Sequence, residues 1–231
     1  MRWIIMVGWG LIIIGTMQTK AQKIPEYSKK LTGQMELSVY PVHKASLLGL
    51  TSTEYPTVGV GFSGAYGRWS FYGISFHEVS ATNVFLSQFE ENISYRAFLG
   101  EKISCTLFNT SVSTTKNSAI YMIPTLAVAV GHKKEFRFDL TPYTWGFNTN
   151  VDGYTYTISY NYSKSVRREL DLDIQTKGVY THVNPLYKGA IAEFSPALKW
   201  KSWKMQIRTI YQFTGQRFIY DLSLRRSLSF N

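Results

Sequence analysis

The sequence predicts an all-β chain: an antiparallel up-and-down transmembrane β-barrel of about twelve strands, with ten as the runner-up count. Three observations carry this. Tyr154 to Ser163 alternates without a break, with Tyr154, Tyr156, Ile158, Tyr160 and Tyr162 on one face and Thr155, Thr157, Ser159, Asn161 and Ser163 on the other. A strand turns successive side chains to opposite sides, so the segment has one aromatic wall and one polar wall. The chain's last segment does the same: Phe218, Tyr220, Leu222, Leu224, Leu228 and Phe230 share a face broken only by Arg226. Thirdly, an export signal opens the chain. Arg2 gives a basic start, Trp3 to Ile14 is an apolar run of 12 residues, and Thr19 and Ala21 place small residues before a cleavage point after Ala21. Twelve residues fall short of the roughly 20 a spanning helix needs.

Strand-like runs follow from Gln34 onward, at about 34–44, 55–66, 68–79, 86–98, 102–112, 119–131, 135–147, 153–164, 169–181, 188–200, 202–213 and 217–230. The stretch 46–92 is the ambiguous one and leaves room for the ten-strand count. The links alternate in length. Gly67-Arg68, Gly100-Glu101, His132 to Lys134 and Lys201-Ser202 read as tight turns. Ser46 to Glu54, Ser80 to Phe85, Ser113 to Ser118, Asn148 to Asp152 and Asn184 to Tyr187 read as longer loops. Short turns at one end and longer loops at the other are the expected asymmetry of a membrane barrel. Lys164 to Arg168 and Thr214 to Gln216 depart from it: the first is long where a turn is due, the second tight where a loop is due. Pro124, Pro142 and Pro196 cannot donate a ladder hydrogen bond and predict bulges or strand ends. Gly59, Gly61 and Gly64 lie inside a strand pattern and predict close packing or curvature rather than a phosphate loop.

The organisation read from this is a signal peptide over residues 1–21, a periplasmic lead segment over 22–33, and one barrel domain over 34–231. Cys105 is the only cysteine, so no internal disulfide is expected. The formal charge of +10 falls to +8 once Arg2 and Lys20 leave with the signal. For an exported chain this basic balance points to lipopolysaccharide phosphates or an anionic solute rather than nucleic acid. Aromatic residues make up 16% of the chain and charged residues only 17%, a bias that suits aromatic girdles at two interfaces. A soluble secreted sandwich is the rival fold. It would have to leave those aromatic stripes in water, where a contiguous apolar band aggregates.

The terminal strand resembles the closing strand of Gram-negative outer-membrane barrel proteins. In those proteins that strand ends in an aromatic residue read by the barrel-assembly machinery. Here Phe230 is penultimate and Asn231 last. Ala21-Gln22 and the Tyr/Trp-rich strands resemble small porin-like barrels of the Bacteroidota. The resemblance implies a cell outer membrane location, reached through the periplasm, and the assembly machinery as a partner.

In lipid every backbone group must be paired, so strands can span only as a closed barrel with the apolar face outward. That turns Val58, Val60, Phe62, Tyr66, Ile103, Cys105, Leu107, Phe136, Phe138, Leu140, Leu170, Leu172, Ile174, Trp203, Met205, Ile207, Tyr211 and Phe213 to lipid. Carrying the alternation through places Glu36, Glu90, Asp139, Asp171, Asp173, Glu193 and Asp221 in the lumen, together with Arg96, Arg137, Lys177, Lys199, Lys204, Arg208 and Arg225. Two readings of these balanced charges stay open. They make a narrow passage whose opposed charges order water and small polar or anionic solutes, or a ladder of ion pairs that plugs the barrel and holds its wall rigid. The first predicts a narrow pore, the second a non-conducting scaffold in an envelope assembly with a partner of unknown identity. A third and weaker reading is a lipid hydrolase built on Ser75 and His77, which share a strand face, with Glu78 on the opposite one. No enzyme activity is the expectation. His43, His132 and His182 show no metal-ligand spacing, so no metal or other cofactor is expected.

Overall fold

The computed structural model describes residues 31–43, 55–115, 118–184 and 187–230. The signal peptide and nearly all of the lead segment lie outside them. The described chain forms β1 (Thr32–His43), β2 (Thr57–Tyr66), β3 (Trp69–Val79), β4 (Val84–Leu99), β5 (Ile103–Thr114), β6 (Ala119–Val130), β7 (Phe136–Phe147), β8 (Asp152–Arg167), β9 (Leu170–Asn184), β10 (Tyr187–Trp200), β11 (Trp203–Gln212) and β12 (Arg217–Phe230). Each strand pairs antiparallel with its sequence neighbours, and β1 pairs with β12 to close the ring. Twelve strands replace the ten-strand alternative, because 57–99 resolves into three separate strands. The first strand starts at Thr32, two residues before the expected start at Gln34 and within the expected lead segment.

Closure is what makes the fold possible in lipid. An open sheet would leave a row of unpaired N–H and C=O groups at each edge, and the β1–β12 ladder removes both. That ladder runs from Gly33 opposite Phe230 to His43 opposite Asp221, with one register shift between Val39 and Val42. Both terminal strands therefore meet at one end, here the turn end. Tight turns at Gly67-Arg68, Gly100–Lys102, Gly131–Glu135, Arg168-Glu169 and Lys201-Ser202 lie at that end. The opposite, loop end carries the connections 80–83, 148–151 and 213–216. The two anomalous links have simple causes. β8 and β9 extend to Arg167 and Leu170, so a charged "loop" is strand and its turn is short. The 213–216 link is a tight turn at the loop end, held by Gln216 N–H donating to the Phe213 carbonyl at 3.4 Å.

The prolines sit where the ladder is irregular. Pro124 lies in the shift between Met122 and Leu126 on the β6–β7 seam. Pro142 lies in the shift between Thr141 and Thr144 on the β7–β8 seam. Pro196 pairs with Ile174 on its β9 side, while the β11 ladder skips from Phe194 to Ala197. Each missing donor thus falls at a gap in pairing. Glycine serves the outer wall at two places: the Phe71 ring lies over Gly64 and the Phe62 ring over Gly73, where a Cβ would collide.

The outer wall is greasy. Leu37, Val60, Phe62, Ile93, Leu107, Phe138, Ile158, Phe194, Met205, Ile207 and Leu224 are exposed large apolar residues from strands all round the ring. Aromatic pairs gird it, among them Trp69–Tyr95 with ring centres 4.9 Å apart, Phe136–Tyr160 at 5.0 Å and Tyr211–Phe218 at 4.7 Å. No buried core of ordinary kind exists between layers. The buried residues face the lumen.

Candidate functional site

The inward face follows from the alternation, and neighbouring strands stitch it by short polar pairs. Thr125 and Thr141 hydroxyls lie 2.8 Å apart, Thr155 and Thr181 2.9 Å, and Asn92 Nδ2 donates to Thr110 Oγ1 at 2.8 Å. At mid-height the lumen holds a cavity of about 620 Å³. Glu90, Asp139, Lys177, Glu193, Lys204, Arg208, Asp221 and Arg225 line it. A second cavity of about 470 Å³ lies toward the turn end, shares Gln175, Lys204 and Gln206 with the first, and includes Asp173.

The structure gathers the lumen charges into three groups. Glu193 is the hub of the first. Its Oε1 lies 3.3 Å from Lys177 Nζ and accepts the Ser195 hydroxyl at 3.0 Å, and its Oε2 accepts Arg208 Nη2 at 3.0 Å. Three adjacent strands, β9, β10 and β11, supply this cluster. Glu193 side-chain exposure is only 1%, whereas Lys177 and Arg208 keep 24% and 20%. The carboxylate is thus walled in by its two cations, and the cations face the cavity. In the second group Arg137 Nε donates to Asp139 at 2.6 Å, and its guanidinium lies 5.4 Å from the Phe108 ring centre. In the third, Glu36 lies 3.8 Å from Arg225 across the β1–β12 seam, with Arg225 over the Tyr40 ring at 5.6 Å. Arg225 Nε and Glu36 Oε1 are buried atoms without a hydrogen-bond partner among the described residues.

Five sequence-derived lumen candidates do not line either cavity: Glu36 and Arg137 are paired with Arg225 and Asp139, which do, and the other three lie toward the turn end. Asp171 accepts the Ser165 hydroxyl and sits opposite Lys199 on the turn-end extension of β9. Lys199 is exposed there. Arg96 shares the Glu90 face of β4 but is exposed near the turn end, where the β4–β5 ladder shifts register.

The interior is not uniformly hydrophilic, which corrects the simple two-wall expectation. Tyr40, Tyr72, Phe76 and Phe108 line the cavity on the side of β1, β3 and β5, facing the charges of β7 and β9–β12. Toward the loop end the inward face becomes apolar. Val112, Ala119, Tyr121 and Val183 pack with Val151, which the 148–151 loop folds into the mouth. Val179, Ile191 and Ile210 form a second apolar cluster. Tyr40 was legible in sequence, since it shares the parity of Glu36 and Ser38. The loop-end packing carried no such signal, because inward isoleucine and valine look like lipid-facing ones.

Charge outside the lumen collects at one end. Arg68, Lys102, Lys133, Lys134, Arg167, Arg168 and Lys201 lie at the turn end, against Glu101, Glu135 and Glu169. Ser75 and His77 face outward from the barrel, with His77 Nε2 and Ser75 Oγ 3.1 Å apart. Glu78 points inward and is buried. No acidic or amide side chain hydrogen-bonds His77 among the described residues, so the pair lacks the third group that orients a catalytic base.

No family model and no curated protein matches the chain. Solved structures do. The KdgM porin superposes with a TM-score of 0.53 at 14% identity, covering 85% of this chain and 99% of that one. The KdgM porin in complex with disordered oligogalacturonate gives a TM-score of 0.51 at 12% identity over 87% of this chain and 98% of that one. An outer-membrane channel from Pseudomonas putida F1 gives 0.51 at 10% identity over 91% and 100%. These likenesses establish the fold: a single closed antiparallel barrel.

Proposed function

We propose that this chain is an integral outer-membrane protein whose barrel forms a narrow pore for small polar or anionic solutes. The observation that carries the reading is the mid-height cavity, where four cations and three acids of β7 and β9–β12 face an aromatic wall of Tyr40, Tyr72, Phe76 and Phe108, with Glu90 of β4 set in that wall. Opposed charges across a narrow water-filled passage orient dipoles, and a ring of cations selects against cations in transit. Lys177, Lys204, Arg208 and Arg225 are the side chains that would meet an anionic group. Flat aromatic faces beside them suit the apolar faces of ring-shaped solutes. One structural relative is solved with an oligogalacturonate, and acidic saccharides are the solute class we would try first. The outward apolar wall supports residence in a bilayer, and export through the periplasm is part of the same proposal. So is recognition of the β12 strand by the assembly machinery, and contact of lipopolysaccharide phosphates with loop-end Lys188 and Arg217.

A second reading, a non-conducting scaffold, has one observation behind it: the Val112, Tyr121, Val151 and Val183 packing at the loop end. Conductance of the refolded protein across a planar bilayer separates the two. Discrete steps whose ion preference shifts in Arg208→Ala support the pore. Silence under all voltages in both the parent chain and a Val151→Ser variant leaves the scaffold.

A further inference from the structure

Among the described residues the outer wall carries one acidic side chain at mid-height, with small polar residues around it. On β4, Glu91 follows the outward parity of Ile93, which is 57% exposed, while Glu90 beside it lines the lumen. Glu91 is opposite Gly73 of β3 on one side and Ser111 of β5 on the other. One row toward the loop end, Ser75 and Ser113 flank Phe89. One row toward the turn end, Asn109 stands beside Ile93. Most other mid-band positions are large and apolar, such as Leu37, Val60, Ile158, Ile207 and Leu224; Thr176 and Thr209, which flank Phe194, add uncharged polar groups. A charge on the lipid face of a barrel destabilises it, most of all near the midplane.

The polar groups here form a short chain that ends on a weak acceptor. Asn109 Nδ2 donates to Ser111 Oγ at 3.3 Å and reaches the Met122 thioether at 4.0 Å, and Ser111 Oγ reaches that thioether at 3.3 Å. Glu91 makes no hydrogen bond or ion pair among the described residues. An unpartnered acceptor thus lies next to a donor chain whose last hydroxyl, that of Ser111, ends on a thioether. A two-fold axis through such a patch would bring each carboxylate to the donors of the other copy, since an isologous interface sets the same patch against itself. In lipid, where water cannot compete, polar contacts between spanning elements supply specificity that apolar surfaces cannot.

We propose that the polar patch on β3–β5 is an interface through which two copies of this chain pair side by side in the membrane. Phe62, Phe71 and Leu107 at its margin supply the apolar packing around the polar centre. The proposal rests on the membrane placement proposed above. Its test uses the full chain in membranes of the producing cell, with Cys105→Ala removing the only native cysteine. Ser113→Cys is introduced beside the patch, or Ile207→Cys on the far wall, and the membranes are oxidised. The expected result is a band of twice the chain mass for Ser113→Cys and none for Ile207→Cys. Adding Glu91→Leu should lower that band about tenfold, the factor for one lost intramembrane polar contact, while the barrel keeps its heat-modifiable gel mobility. Absence of the band, an equal band from Ile207→Cys, a crosslink to a different protein, or indifference to Glu91→Leu overturns the pairing and leaves the membrane placement standing. A chain missing from the membrane fraction overturns both.

Discussion

Replacing Glu193 by Gln tests the ionic hub of the lumen. The amide keeps the size of the side chain and can still accept the Ser195 hydroxyl. It cannot balance Lys177 and Arg208, which lie 3.3 and 3.0 Å from the carboxylate. At an effective dielectric of about 20, each such pair is worth about 5 kcal/mol of Coulomb attraction. Most of that is offset by the desolvation of the ions, and breaking a buried pair by removing one partner costs about 3–5 kcal/mol net. Here the cations retain a fifth to a quarter of their exposure toward the cavity, so the lower end applies, about 3 kcal/mol. Urea unfolding of the barrel in bilayers, followed by tryptophan fluorescence, reads this directly. Lys177→Met in the same background should recover part of the loss, because it removes one of the two cations left facing each other. A loss below about 1 kcal/mol for Glu193→Gln, with no coupling to Lys177→Met, would refute the view that this cluster is a satisfied structural unit.

Ile158→Arg should cost about 2–4 kcal/mol of barrel stability in bilayers, since Ile158 is 64% exposed on the lipid wall. A neutral outcome in the same urea titration would argue that this face meets water. Val151→Ser should raise single-channel conductance by loosening the packing with Tyr121 and Val183, with little change in ion preference. Arg225→Gln should shift reversal potentials toward cations, as it removes a cavity-lining positive charge paired only loosely with Glu36 at 3.8 Å. His77→Ala should leave lipid release from membranes unchanged; a loss of fatty-acid release would revive the hydrolase reading of the Ser75–His77 contact.

The alternation of Tyr154–Ser163 and of β12 showed strands with two unlike faces, and the spacing of such runs along the chain pointed to twelve strands with ten as the alternative. Period two is a local property, and lipid outside the barrel enforces it on each strand separately. The same logic put Glu193, Lys177 and Arg208 on the inward face. It could not say that they meet. That depends on the stagger between β9, β10 and β11, which is a property of the ring as a whole. Thus Arg96, Lys199 and Asp171 have the right parity yet lie beyond the cavity, at the end where the strands run out. The apolar loop-end packing was hidden for a related reason: an inward valine and a lipid-facing valine obey one alphabet, and only closure tells them apart. Glu91 shows the converse. Its parity already set it on the greasy wall, but its isolation there became visible only when the registers of β3, β4 and β5 aligned it with Ser75, Ser111 and Asn109. Sequence settles which side chains share a face, because that is fixed within two residues. Tertiary structure decides which side chains meet, because the barrel's closure and stagger set the heights of residues far apart in the chain.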